Sequence, residues 1–240
     1  MGALDSAVLQ KNEFIMPDRV HIIASFDESL ERLRSELLDM GRMSRKSVEL
    51  SVRGLLERNL DYCNKVIADD ESINQYEKDV DELGIETLLK YRPVAQDLRL
   101  VLASMSISRN LERMADHAVY IAKRSRKILK NYDRQEDQLI EPLFTTVDKL
   151  FDDALRCFID GDVELGHQMK ERNREAKTEA KQLVKVYSRS LENSSELSEY
   201  YLHLIFIARS LQRIGSLSVN IAEDAVFHES AEDIRHIPTT

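Results

Sequence analysis

A stretch near residue 100 of this chain returns near residue 200. Leu102, Ile107, Arg109, Leu111, Arg113, Val119, Ile121 and Ala122 are matched one hundred positions later by Leu202, Ile207, Arg209, Leu211, Arg213, Val219, Ile221 and Ala222. The matched apolar residues keep a helical register, so the repeat predicts a duplicated helix inside a duplicated unit. That restricts the fold to two similar halves related by pseudo-symmetry.

Seven Gly, four Pro and no Trp in 240 residues leave few turn signals, while Leu, Glu, Lys, Arg and Ala abound. Such a composition belongs to long helices. Residues Met1 to about Pro17 show no sustained period and read as a tail. A first helix is expected from a Ser25 cap, with Phe26, Leu30, Leu33, Leu37, Met40, Val48 and Leu55 on its apolar stripe. Small Ser44 and Ser51 on it permit close approach of a neighbour. A second helix is expected from Asp61 to about Lys90, ending at Tyr91-Arg92-Pro93, and a third from Val94 to about Leu129. The same series then recurs. Ile140 to Phe158 gives helix four, Asp160-Gly161-Asp162 breaks it, Val163 to about Leu191 gives helix five, and Glu196 to His228 gives helix six after Asn193-Ser194-Ser195. The fold class is therefore all-α: two tandem, pseudo-symmetric three-helix bundles of six long antiparallel helices. The expected division is a tail over 1–20, a first bundle over 21–131 and a second over 132–240.

A net charge of -9 and a pI near 5.3 disfavour nucleic acid and anionic bilayers as partners. No apolar run reaches the roughly 20 residues of a membrane span, and the first 20 residues lack a basic start before an apolar stretch, so a cytoplasmic protein is expected. Cys63 and Cys157 sit among apolar helical neighbours without a second thiol nearby, and read as buried free thiols.

The chemistry lies in carboxylates. Glu77 and Asp81 on helix two, and Glu112 and Asp116 on helix three, each form a pair four residues apart on one helix face. In a hairpin turning just after Pro93, Asp81 is expected level with Glu112, and Glu77 level with Asp116. Four acids so placed repel unless a cation intervenes, and divalent ions bind carboxylate oxygen readily. The other reading is local neutralisation by Arg109, Arg113 and Lys78. The repeat favours the metal: Glu77, Asp81, Glu112 and Asp116 become Lys177, Lys181, Gln212 and Ser216, while the arginines survive as Arg209 and Arg213. Only one site is expected, with the two lysines supplying in the second bundle the positive charge that an ion supplies in the first.

The stretches RPVAQDLR (92–99), LERMADHA (111–118) and QRIGSLSVNIAED (212–224) resemble signature segments of the PhoU family, as do SFDESLERLRSELLDMG and the closing DIRH. The resemblance implies paired three-helix bundles and metal held by ExxxD motifs, the motifs falling here on Glu77, Asp81, Glu112 and Asp116. Iron, zinc, manganese and magnesium all suit such ligands, and the second metal motif pair is broken. It also implies a cytoplasmic negative regulator of phosphate uptake and phosphate-starvation signalling, a homodimer without enzymatic activity. Its partners would be the phosphate ABC transporter ATPase and a sensor histidine kinase.

Two other classes compete with it. A carboxylate-bridged oxidase or metal-storage bundle needs two inward Glu-x-x-His elements, and only Glu164-Leu165-Gly166-His167 is found, with His117 beside Asp116 as a further candidate ligand. A coiled-coil scaffold is opposed by Glu112 in the 98, 105, 112, 119 register and by proline breaks.

Overall fold

The structure, a computed structural model, describes residues 17–235. Its helices are α1 (Pro17–Leu56), α2 (Leu60–Tyr91), α3 (Ala95–Asn131), α4 (Glu141–Ile159), α5 (Val163–Asn193) and α6 (Ser198–Ser230), with short 3-10 turns at Glu136–Ile140 and Ser195–Leu197. There is no strand among the described residues, and no described helix is long and apolar enough to cross a membrane.

Several helix ends have a local cause. The Asn59 side chain accepts from the N–H groups of Asp61 and Tyr62 and starts α2. Arg92 turns left-handed (φ 51), its N–H still bonded to the Leu88 carbonyl, and closes α2 before Pro93. The Asp162 carboxylate accepts from Leu165 N–H and starts α5. One boundary departs from expectation. α1 is already helical from Pro17, the first described residue, so Ser25 is not its cap. Ser25 is an interior residue whose carbonyl accepts from the Ser29 and Tyr91 hydroxyls. Residues 17–20 of the expected tail are thus helical, and 1–16 and 236–240 lie outside the described residues.

α1, α2 and α3 pack on one another, α4, α5 and α6 do the same, and α3 lies along α6. The two trios repeat the same helix order, and α3 and α6 form the main seam between them. These two run antiparallel: Ser106 donates to Asp224 at 2.7 Å, and Asn220 to Asn110 at 3.5 Å. Leu111, Ile121 and Ala122 and their counterparts Leu211, Ile221 and Ala222 are all buried in one continuous apolar core. Leu102 and Leu202, by contrast, face outward, 45% and 42% exposed. Cys63 and Cys157 are free and buried, and burial pushes their thiols up to about 11 and about 12, where they are inert.

Candidate functional site

α2 and α3 form the hairpin that carries the acids, but its register differs from the expected one by about one helical turn. Arg92, Pro93 and Val94 lie outside both helices, so the chain reverses on Pro93 itself rather than after it. Gly84 then sits against Met105: a Cβ there would come within 2.8 Å of its sulfur. In this register Asp81 meets Arg109 as an ion pair at 3.5 Å, and Glu77 is the α2 acid that acts on Glu112. Asp116 acts instead on Asp70, an acid outside the four expected ligands.

The electrostatics follow from that placement. The Glu112 carboxyl is pushed up to about 7, first by burial and then by Asp116, Glu77 and Asp70, with Arg113 opposing. Asp70 is raised by burial and by Asp116, against the pull of Lys123. Asp70 keeps a buried Oδ1 without a hydrogen-bond donor, and the buried Asp81 Oδ1 has only the Arg109 guanidinium at 3.5 Å. Local neutralisation is met at Asp81 by Arg109; Lys78 pairs with Glu71 at 3.9 Å, and Arg113 forms no ion pair among the described residues. Mutually repelling carboxylates with orphaned oxygens are a donor set suited to a hard or borderline cation. Among the described residues, no three His, Cys, Asp or Glu side chains already converge as a ligand cluster.

The second trio inverts this arrangement. Asp70, Glu77 and Asp81 correspond to Lys170, Lys177 and Lys181, and Lys123 corresponds to Glu223. Lys170 and Glu223 form an ion pair at 3.0 Å. The Lys170 ammonium also donates to the Ile234 and Arg235 carbonyls, holding the segment after α6 against α5. Asp70 could have been found in the sequence from this match and from its place two turns before Glu77 on the same stripe.

Between α3 and α6 lies a groove of about 660 Å³, lined by Asp70, Arg113, Asp116, His117, Arg209 and Arg213 among others. His117 is half-buried there, its imidazole held below the usual histidine range by burial and then by Arg213. His167 and Glu164 instead face outward at the start of α5, and His167 pairs with Glu232 at 3.4 Å.

Comparisons with known proteins bear on the family and the fold. The family model described as "PhoU domain" matches residues 37–125 and 140–225, one match in each trio. The phosphate-specific transport system accessory protein PhoU homolog of Pseudomonas aeruginosa is 31% identical over 225 residues, 92% of this chain and 91% of the relative. The accessory protein PhoU of Escherichia coli is 26% identical over 220 residues, 90% of each chain. The crystal structure of PhoU from Pseudomonas aeruginosa superposes with a TM-score of 0.82 at 27% identity, covering 86% of this chain and all (100%) of that one. That of the phosphate transport system regulatory protein PhoU from Streptococcus pneumoniae gives 0.79 at 22% identity, covering 87% and 99%, a likeness of fold. This chain, with a PhoU domain in each half, belongs to the PhoU family.

Proposed function

We propose that this chain is an accessory protein of a phosphate-specific transport system, a negative regulator that works by binding partners and catalyses no reaction. The observation that supports the reading is the family match in both halves, joined to relatives of nearly equal length that are named accessory proteins of a phosphate-specific transport system. Binding preferentially to one state of the transporter ATPase or of a sensor histidine kinase shifts that partner's population, by no more than the difference in affinity between states. Phosphate status sets which state is favoured.

The α2–α3 hairpin is the proposed cation site. Glu77, Glu112 and Asp116 would hold the ion, with Asp81 released from Arg109 and Asp70 from the groove side. A bound iron, zinc, manganese or magnesium ion supplies the positive charge that lets these carboxylates stay ionised side by side. Without it, Glu112 holds its proton near neutral pH, and Asp81 leans on Arg109.

A pull-down from cells grown at high and at low phosphate tests the regulatory reading. Recovery of a transporter ATPase or a sensor kinase is expected, and recovery of neither in repeated trials overturns it. Elemental analysis after reconstitution tests the cation site independently: bound metal is expected in the native chain, and its loss in a Glu77→Gln, Glu112→Gln double variant.

A further inference from the structure

We propose that the groove between α3 and α6 is an oxyanion site that binds a phosphoryl group on Arg113, Arg209 and Arg213. The inference goes beyond the accessory role and rests on the geometry of the groove alone. Three guanidinium groups from two antiparallel helices line one concavity of about 660 Å³, with Lys123 as a fourth cation and Asp70 and Asp116 as the facing acids. Among the described residues, none of those four cations forms an ion pair, although 23 ion pairs elsewhere occupy most of the other arginines. Like charges gathered in a concave site repel one another, and a phosphoryl group, which takes planar guanidinium forks bidentately, relieves that repulsion.

The pseudo-symmetry supplies an internal control. Toward the other end of α3 and α6 lies a second cavity of about 430 Å³, lined by Arg109, Arg113, Asn220, Glu223, Asp224 and Arg235 among others. There two of the three arginines have partners: Arg109 pairs with Asp81, and Arg235 with Asp233 at 2.6 Å, while Arg113 is common to both cavities. Lys123 and Arg124 of the first end correspond to Glu223 and Asp224 of the second. The repeat therefore sets two acids at one end of the seam where the other end has two cations.

The open end also has an aromatic wall. Tyr120 and Phe206 meet edge to face at 6.4 Å, and the Arg124 guanidinium lies 4.2 Å and 4.1 Å from their centroids. Arg124 is thereby held on the rings and on His203, at 2.9 Å, leaving Arg113, Arg209 and Arg213 to meet the anion. A free phosphate and the phosphates of a nucleotide offer the same chemistry to those forks, and only the second has a base for the aromatic wall.

Isothermal titration of the full chain with sodium phosphate and, separately, with ATP tests the site. Saturable binding of one equivalent of at least one probe is expected. Arg209→Gln and Arg213→Gln should each weaken it at least about tenfold, and Lys181→Gln on α5 should leave it unchanged. These arginines are exposed and unpaired, so the variants keep the fold, which circular dichroism verifies. Tighter binding of ATP that is lost in Tyr120→Ala identifies a nucleotide, and equal binding of both probes a free phosphate. No saturation by either probe up to about 10 mM, or equal weakening in Lys181→Gln and the arginine variants, overturns the proposal. Neither result bears on partner recovery from cells, so the two readings fail separately.

Discussion

Glu112 takes up a proton on folding because its carboxyl, ordinarily at 4.5, is pushed up to about 7 by burial and by its acidic neighbours. Between those two values the native state binds more protons than the unfolded chain, so stability falls as pH rises through that window. Above it the cost is fully present; below 4.5 both states are protonated and the cost vanishes. Glu112→Gln removes it. Thermal unfolding followed by circular dichroism should therefore show the variant melting above the native chain at about pH 8, with the two converging near pH 4.5. Glu112 faces partly to solvent, which screens the effect, so the sign rather than the size is the test. A divalent cation should raise the native melting temperature at pH about 7.5 and leave the variant nearly unmoved, because the ion favours the ionised carboxylate that only the native chain has.

At the scale of the helix, most of the fold was legible in the sequence. The stops at Arg92-Pro93 and at Asp160-Gly161-Asp162, the six apolar stripes and the repeat all express local rules of capping, turn chemistry and period, and the observed ends fall close to them. Register was not legible, because it depends on how far each turn consumes chain and on which side chain finds room. Pro93 centres the α2–α3 turn, and Gly84 makes space for Met105, so Glu77 rather than Asp81 reaches Glu112. Asp70, by contrast, was legible in the repeat, where it stands against Lys170 as Glu77 stands against Lys177. Ser25 lies inside α1 because a residue suited to capping does not compel a helix to begin there.

Two helix contacts give predictions of their own. A Cβ on Gly166 would stand 2.3 Å from Val226 Cγ2, where α5 meets α6. Gly166→Ala should cost about 1–3 kcal/mol despite alanine's better helix propensity, a shift readable as a lower urea midpoint. Lys170 and Glu223 join the same two helices, and Glu223 is buried, its side chain 9% exposed. Lys170→Met, which leaves that carboxylate without its partner, should destabilise by roughly 3 kcal/mol. Adding Glu223→Gln should restore much of the loss, and a double-mutant cycle measures the coupling.

At the scale of the whole molecule the issue is whether the two halves, each matching a PhoU domain, stand independently. Their cores join: Leu37 and Val52 of α1, Ile73 of α2, Leu111 of α3, Phe151 of α4, Tyr187 of α5 and Ile214 of α6 belong to one cluster of buried residues. α1 and α4 are also tied across the halves by Arg45, whose guanidinium meets both Asp148 and Asp152. A chain built this way loses the shared α3–α6 surface if either half opens, and that loss of burial couples the halves. Leu111→Ala, at a fully buried position of α3, should cost about 2–5 kcal/mol. The cost should appear as one lowered transition, with the calorimetric and van't Hoff enthalpies still equal. Hydrogen exchange should then quicken in α5 as well as in α2, although α5 lies in the other trio from the substitution. Faster exchange confined to α1, α2 and α3 would mean that the seam between the trios is too weak to carry coupling. In that case an event in the acidic hairpin could reach a partner docked on the second half only by direct contact, not through the shared core.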